Sequence, residues 1–204
     1  MIIIGITGSI GMGKTTIALM LRRLFIPVFD SDREVKDILE NNKKAKSEIT
    51  KIWPNVIIKE NKSKKINKRL LSKIIFSNKK NREKLEKIIH PLVKGRRDIF
   101  IRNNHNSFIV ALDIPLLYET GTDKICDVVF LTYTSEIKQK ERVLLRSNMS
   151  EKIFNSIKKA QWDTEKKKKK NPYLITTSYG KYISFFLVIM YLIMIIINKK
   201  VVKL

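Results

Sequence analysis

A glycine-rich stretch near the start of the chain has the residue types that a phosphate-binding loop requires. Residues 8–15 read GSIGMGKT and fit the pattern G-x-x-x-x-G-K-[ST]. Glycines let successive backbone N–H groups turn toward phosphate oxygens, Lys14 can reach the β and γ phosphates, and the Thr15 hydroxyl can coordinate Mg²⁺. The residues predicted to bind ATP in this segment are Gly8, Gly11, Met12, Gly13, Lys14, Thr15 and Thr16.

Three aspartates follow apolar stretches and are candidates for metal binding or proton transfer. Asp113 closes the apolar stretch 108–112, where an acid could hold Mg²⁺ or its waters, although such an aspartate could also simply cap a turn. Asp30 and Asp32 follow the short apolar stretch that starts at Pro27. A carboxylate there could accept the proton of an attacking hydroxyl. The alternative for Asp32 is a helix N-cap.

Two arginines and one histidine are weaker candidates. Arg142 and Arg146 are four residues apart, so on a helix both guanidinium groups could fold onto transferring phosphates. Arginines on a basic helix also commonly face water. His90 precedes Pro91 at a predicted helix end, where a histidine is more often a cap or hinge residue than a catalyst.

The phosphate loop lies between a predicted strand and a predicted helix, as the motif requires. Residues 2–6 are apolar and mostly β-branched, which favours a strand buried on both faces of a parallel sheet. A helix is predicted over 15–25, and Ser135 is a predicted N-cap for another helix that runs through Arg146. Further strands are predicted at 27–30, 108–112, 128–133 and 173–175. The fold class is therefore α/β with a central parallel sheet.

The segment from Arg33 to about Asn104 differs from the rest of the chain. It is rich in lysine and helical in pattern, with predicted breaks at 53–55 and 90–91, and it contains little that resembles a buried strand. We therefore expect a helical insertion on the sheet. The five lysines at 166–170 are expected to form a solvated low-complexity segment.

Charge and composition bound the function classes. The 204 residues carry 42 Lys and Arg against 19 Asp and Glu, a formal net charge of +23, but 32 Lys and 32 Ile dominate and Arg is only 10. This skew favours a diffuse basic surface over a built nucleic-acid site, and no specific nucleic-acid partner is expected. The single Cys126 excludes an internal disulfide, and together with two histidines it makes a structural zinc site implausible, which suits a cytoplasmic protein.

Residues 182–197 form an unusual apolar run of sixteen residues without a charge. As a helix the run would be about 24 Å long, somewhat less than a bilayer core of roughly 30 Å. A terminal helix or strand packed on the sheet is favoured, and a tail in weak contact with a membrane is the alternative. The apolar start of the chain does not have the layout of a signal peptide.

Five segments together are similar to the dephospho-CoA kinase family, in its order and spacing. They read ITGSIGMGKTT at 6–16, IPVFDSD at 26–32, IFS at 75–77, LEKIIHPL at 85–92 and DIPLLYETG at 113–121. The resemblance implies a P-loop kinase with a three-layer fold, a helical substrate-binding insertion and a small helical lid. It further implies ATP-dependent phosphorylation of the ribose 3′-hydroxyl of dephospho-CoA, with Mg²⁺.

The resemblance also implies roles for individual residues and regions. Asp32 matches the general base, Arg146 the lid arginine that joins Lys14 in catalysis, and Asp113 a metal ligand alongside Thr15. The residues expected to bind substrate are Asp32, Lys68, His90 and Tyr118, and Arg142 is expected to bind ATP. The implied core comprises 1–32, 105–140 and 166–204, the CoA-binding region 33–104 and the lid 141–165.

Two departures from the family pattern stand out. Lys68 occupies a position where the family usually has Arg, and NPYLITT at 171–177 stands where relatives resemble ADYVIDN. The sequence thus favours a dephospho-CoA kinase acting as a monomer or weak homo-oligomer. The alternatives are a P-loop kinase for another small acceptor, or a basic protein that binds nucleic acid or membrane surfaces without kinase activity.

Overall fold

The computed structural model describes residues 1–60, 63–147 and 149–201 and divides the chain into two compact units. The first comprises Met1–Phe29 and the chain from Asn104 onward; the second is Asp30–Asn103. Within the described residues the strands are β1 Ile2–Thr7, β2 Val28–Asp30, β3 Ile57–Glu60, β4 Ser63–Ile66, β5 Ile109–Asp113, β6 Val128–Tyr133 and β7 Tyr173–Thr176. The helices there are α1 Lys14–Arg23, α2 Ser31–Asn41, α3 Lys43–Ile52, α4 Lys68–Ser77, α5 Lys79–Asn103, α6 Glu136–Leu144, α7 Glu151–Ala160, α8 Thr164–Lys168 and α9 Lys181–Val201.

Five strands form the central sheet in the order β2-β5-β1-β6-β7. β1 pairs in parallel with β5 on one side and with β6 on the other, and β6 pairs in parallel with β7. Ile2, Ile4 and Ile6 are fully buried, as expected for a strand covered on both faces. The parallel α/β sheet and its five strands, as predicted from the sequence, are confirmed.

Helices α1 and α9 pack on the core of this sheet. Ile17 and Leu21 of α1 join Val188 and Leu192 of α9 in one apolar cluster with the β1 isoleucines. The prediction that α1 continues to residue 25 is wrong. Phe25 has a positive φ of 57° and is almost fully exposed, because the chain turns after Arg23 to enter β2.

The second unit is mainly helical, with an apolar core formed by α2 to α5 that includes Ile38, Ile49 and Leu71. Arg96 of α5 donates to Glu34 of α2 at 2.8 Å and also pairs with Asp37, whose pKa its guanidinium lowers. These contacts tie the two helices together by charge as well as by burial.

Two sequence expectations for this unit need correction. β3 and β4 form an antiparallel hairpin that the sequence does not predict, because its strands mix isoleucine with lysine so that no buried stretch is visible. Helix α5 continues through His90 and Pro91 instead of breaking there. The preceding Ile88 and Ile89 are buried, and this packing holds the helix together despite the N–H that proline lacks. The break after Ile52 is confirmed.

The apolar run predicted near the end of the sequence is helix α9. Its inner side contributes Ser184, Val188, Leu192 and Ile195 to the buried interior. By length and composition Lys181–Asn198 could also cross a membrane, yet only these few residues of that stretch are buried. The prediction of a helix packed on the sheet is confirmed for its inner side.

Candidate active site

The phosphate loop lies between the carboxyl end of β1 and the start of α1. Its turn is closed by backbone bonds from Met12 N to Ser9 O (3.1 Å) and from Thr16 N to Gly13 O (3.0 Å). Gly13 is the N-cap of α1 and has no side chain to accept a hydrogen bond from the first turn. The first turn of α1 therefore directs its positive dipole end toward the loop, which suits an anion.

Two loop glycines are required by the geometry. Gly13 has a φ of 83°, and a Cβ at this position would also lie 2.8 Å from Thr177 Cγ2. A Cβ on Gly8 would lie 2.2 Å from the Thr132 hydroxyl oxygen. Any side chain at either position would force the loop away from β6 or β7, so these glycines fix how closely the loop approaches the sheet.

Lys14 and Asp113 form a salt bridge beside the loop. Asp113 ends β5, directly next to β1, and its register partner is Ile6. The Lys14 ammonium donates to the Asp113 carboxylate, and only 13% and 3% of the two side chains are exposed. The sequence predicted both residues as site residues, and the structure brings them together in a largely desolvated pair.

The two threonines that follow Lys14 lie in the first turn of α1. Thr15 is exposed and Thr16 is partly buried. Thr16 contributes its backbone N–H to the loop turn. An exposed hydroxyl on Thr15 is available to an incoming metal ion or ligand.

Three of the predicted substrate-binding residues, Asp32, Lys68 and His90, belong to the second unit. Asp32 is exposed in the first turn of α2, and the N-cap of this helix is Asp30, which accepts from Arg33 N at 3.0 Å. The alternative that Asp32 itself caps the helix is therefore wrong. Lys68, at the start of α4, donates to Glu40, and His90 is exposed inside α5.

Arg142 and Arg146 do not share a helix, contrary to the prediction. Helix α6 ends at Leu144, and Arg146 lies in the exposed turn beyond it, where its N–H donates to Val143 O at 3.1 Å. Arg142 donates to the hydroxyl oxygen of Thr177 at 2.8 Å and to its carbonyl oxygen at 2.7 Å.

Thr177 also connects Arg142 to the phosphate loop. Its hydroxyl donates to Met12 O at 3.1 Å, and the sulfur of Met12 accepts from Thr134 N at 3.2 Å. The residue that departs from the family pattern at position 177 thus holds the loop backbone in place. The sequence alone shows the departure at this position but not the contacts that the threonine makes.

Two glutamines that the sequence analysis missed hold Ile10 of the loop from either side. Gln161 Oε1 accepts from Ile10 N at 2.9 Å, and Gln139 Nε2 donates to Ile10 O at 2.7 Å. The hydroxyl of Ser9 also approaches Trp162 O at 3.4 Å. A single polar residue without a charge or a motif gives no sequence signal, so only the fold reveals these contacts.

Tyr118 and Trp162 form a stacked pair next to these contacts, with ring centroids 6.4 Å apart and planes 8° apart. Burial raises the pKa of Tyr118 to about 12, with smaller contributions from Asp123 and Cys126. Its hydroxyl is buried and has no hydrogen-bond partner among the described residues. Tyr118 therefore stays protonated at neutral pH.

Glu119 links this pair to α8. It accepts from Trp162 N at 2.8 Å and forms a salt bridge of 3.1 Å with Lys167, whose side chain is fully buried. The prediction that 166–170 is a solvated run is wrong at this residue. One lysine of the five turns inward because a buried carboxylate lies opposite, and composition alone cannot indicate which one.

The phosphate loop lies between a strand and a helix, with an acid at the end of the neighbouring strand, and these features define the class as P-loop nucleotide-binding proteins. A family model described as dephospho-CoA kinase matches residues 2–180. This chain therefore belongs to the dephospho-CoA kinase family.

Individual relatives agree with this assignment. A dephospho-CoA kinase of Bartonella henselae is 38% identical over 177 residues, which cover 86% of this chain and 88% of the relative. The structure of dephospho-CoA kinase from Campylobacter jejuni matches with a TM-score of 0.67 and 25% identity, covering 95% of this chain and 96% of that one. A crystal structure of a Thermus thermophilus protein matches with a TM-score of 0.79 and 27% identity, covering 94% and 96%.

Proposed function

We propose that this chain transfers the γ-phosphoryl group of ATP to the ribose 3′-hydroxyl of dephospho-CoA, the last step of coenzyme A synthesis. The observation that carries the proposal is the formed phosphate loop, with Lys14 held on Asp113, in a chain that matches the dephospho-CoA kinase family over residues 2–180. The family implies ATP-dependent phosphorylation. The Lys14 ammonium and the backbone N–H groups of the loop supply the positive charge and the hydrogen-bond donors that a triphosphate needs.

ATP binds, in this proposal, with its β and γ phosphates in the phosphate loop. Backbone N–H groups of the loop surround the phosphates, and Lys14 neutralises the charge that spreads over the γ-phosphoryl oxygens in the transition state. Arg142, fixed by Thr177, provides a rigid cation on the nucleotide side. Because these groups are positioned before the nucleotide arrives, little reorganisation is required during transfer.

The metal that accompanies ATP is expected to be Mg²⁺, held by Thr15 and Asp113. Within the described residues no group of three or more His, Cys, Asp or Glu is arranged to hold a metal ion. One hydroxyl and one carboxylate suit Mg²⁺, which takes its other ligands from phosphates and water. The metal would supply positive charge to the phosphate oxygens.

Asp32 is the proposed general base. Its carboxylate is exposed at the start of α2, so it is accessible to an acceptor hydroxyl, and the neighbouring Asp30 already serves as the helix cap. The Asp32 carboxylate accepts the proton of the 3′-hydroxyl as that oxygen attacks the γ-phosphorus. Lys68, His90 and Tyr118 are proposed to contact dephospho-CoA.

Residues 141–165 are proposed to act as the lid, with 33–104 as the CoA-binding region and the remainder as the core. Arg146 lies in an exposed turn beyond the end of α6, from which its guanidinium would reach the transferring phosphoryl group on closure. Closure over the loop would exclude the water that otherwise hydrolyses ATP. Gln161, the C-cap of α7, already contacts Ile10 of the loop.

The test is release of ADP from ATP with and without dephospho-CoA, compared with adenosine and nucleoside monophosphates as acceptors. Stimulation by dephospho-CoA alone, with 3′-phosphorylated product identified by mass, is expected. The Lys14→Met variant controls for contaminating ATPase. Equal or greater stimulation by another acceptor would favour the alternative, a P-loop kinase for a different small nucleotide-like substrate.

The proposed setting is the cytoplasm, where ATP and dephospho-CoA are both available. With a formal net charge of +23, copies of the chain repel one another, so a monomer or a weak homo-oligomer is expected. Any contact with a membrane through the apolar α9 is expected to be weak and peripheral.

A further inference from the structure

The outer side of helix α9 is apolar although it faces away from the sheet. Tyr182, Phe186, Ile193 and Ile197 are 92%, 66%, 52% and 55% exposed. At 100° per residue these four side chains fall within one narrow sector, opposite the buried Val188 and Leu192. We call these four residues the outer stripe; it extends about 22 Å along the helix. The surface helix of a globular protein normally carries polar residues on this side.

The inner side of α9 is tied to the sheet by polar contacts as well as by burial. The Ser184 hydroxyl donates to Thr176 O at 2.9 Å, and the Tyr191 hydroxyl donates to Leu174 O at 3.2 Å. Both acceptors belong to β7, at the edge of the sheet. Removing α9 to span a bilayer would break these bonds and expose the core of the sheet to water. The helix is therefore built to remain on the protein.

We propose that the outer stripe docks on the surface of an anionic lipid bilayer, with α9 lying parallel to the membrane plane and its inner side still packed on the sheet. Interfacial helices bind in this way, with their apolar side placed at the boundary between headgroups and acyl chains. Tyr179 and Tyr182, which are 72% and 92% exposed at the start of α9, have the amphipathic rings that settle at this boundary.

Charge selects an anionic bilayer as the occupant over a second copy of the chain. A second copy would bring its own formal net charge of +23 against the first. Residues 166–204 contain no Asp or Glu and nine lysines, of which Lys167 is buried on Glu119, so the stripe lies within a stretch of only basic charge. An anionic leaflet attracts such a segment, and the attraction falls with ionic strength.

The experiment is flotation of the full chain with vesicles of phosphatidylcholine containing about 30% phosphatidylglycerol, against vesicles of phosphatidylcholine alone. Wild type should float with the anionic vesicles at low salt and lose most of this binding in about 0.5 M KCl. The Phe186→Gln/Ile193→Gln variant keeps the charge and should bind the anionic vesicles about tenfold more weakly. Its melting temperature and ADP release should match wild type.

The matched control is Phe108→Gln/Ile125→Gln, which removes an exposed phenylalanine and an exposed isoleucine near the starts of β5 and β6. It should bind vesicles as wild type does. Three results would overturn the proposal. The first is an equal loss of vesicle binding in both variants, and the second is a wild type that does not float with anionic vesicles. The third is a dimer, detected by sedimentation, that only the stripe variant abolishes. A vesicle-bound fraction that resists extraction at high pH would indicate a spanning helix and would also overturn it. Each of these four results is a change in vesicle binding or sedimentation, so it can be told apart from failure of the proposed kinase activity, which is measured by ADP release.

Discussion

The Lys14–Asp113 salt bridge joins the proposed catalytic role of Lys14 to a structural role. Both are largely removed from water, so their pairing stabilises the two charges. In P-loop enzymes the lysine of this motif serves the phosphates. With the proposed catalytic role, folding stability and phosphoryl transfer would both depend on the Lys14 ammonium group.

We expect Lys14→Met to lower kcat by about 10²- to 10³-fold, because the charge on the γ-phosphoryl oxygens loses its compensation. The same change should reduce the free energy of unfolding by about 3 kcal/mol, since a buried carboxylate loses its cation. Urea unfolding of Lys14→Met, Asp113→Asn and the double variant gives the coupling between the two residues. Strictly additive effects would contradict the pairing, and a kcat above about a tenth of wild type would contradict the catalytic role.

Tyr118 should make stability depend on pH only in the alkaline range. Its pKa is about 12 when folded and 10.0 when exposed, so below pH 10 both states hold the proton and ionisation contributes nothing. Above pH 10 the unfolded state releases the proton first, which favours unfolding. Tyr118→Phe cannot ionise and should therefore gain about 1 kcal/mol relative to wild type between pH 9 and pH 11.

The measurement for Tyr118 is urea unfolding of both proteins at the two pH values. At pH 9 the variant should be at least as stable as wild type, because the buried hydroxyl has no hydrogen-bond partner among the described residues. A difference that stays constant with pH would mean that the Tyr118 hydroxyl ionises at its ordinary pKa and is not shielded by burial.

At the scale of elements, one buried side chain anchors the short helix α8 to the rest of the first unit. Lys167 is fully buried on Glu119, which also accepts from the backbone of Trp162. Lys167→Ala leaves Glu119 without its cation and should cost about 3 kcal/mol or more of unfolding free energy. The matched control Lys170→Ala, exposed in the same run, should cost less than about 0.5 kcal/mol. Similar melting temperatures for the two variants would mean that Lys167 is solvated like the other lysines of 166–170.

Substitutions at two neighbouring residues of α9 test whether the packing of its inner side stabilises the protein. Leu192 is 7% exposed and Ile193 is 52% exposed. Leu192→Ala should cost about 3 kcal/mol because it leaves a cavity against the sheet. Ile193→Ala should change stability by less than about 1 kcal/mol. Thermal melting of the two variants measures the difference, and equal costs would mean that the helix is not held by one side.

The elements also show which parts of this fold the sequence could predict. The five sheet strands have continuous apolar stretches because the sheet is covered on both faces, and the phosphate loop has a motif in which each residue type has a chemical reason. The β3–β4 hairpin and the uninterrupted α5 depend on packing in the second unit, which has no local signal. In the site, Lys14 and Asp113 were predictable from type and position, but Gln139 and Gln161 were not, because single amides acquire their role only from the backbone they meet.

At the scale of the whole molecule, the formal net charge of +23 raises the question of whether the chain binds polyanions by design. A built nucleic-acid site concentrates its cations on one surface, whereas a diffuse basic surface does not. Ion pairs between basic and acidic side chains occur in both described units, so they are not confined to one of them. We therefore expect binding to RNA to be electrostatic, independent of sequence and spread over the surface.

Removing two exposed lysines from either unit should weaken RNA binding to the same extent. Lys79→Gln/Lys80→Gln lies on α5 in the second unit and Lys169→Gln/Lys170→Gln follows α8 in the first, and all four residues are exposed. Each lysine–phosphate interaction that is removed reduces the slope of log K against log salt by about one, wherever the lysine lies. Filter binding of a mixed-sequence RNA between about 50 and 200 mM KCl measures affinity and slope together, and wild-type affinity should fall steeply over this range. If one pair abolished binding while the other left it unchanged, the cations would form a built patch, and the alternative function as a nucleic-acid-binding protein would gain direct support.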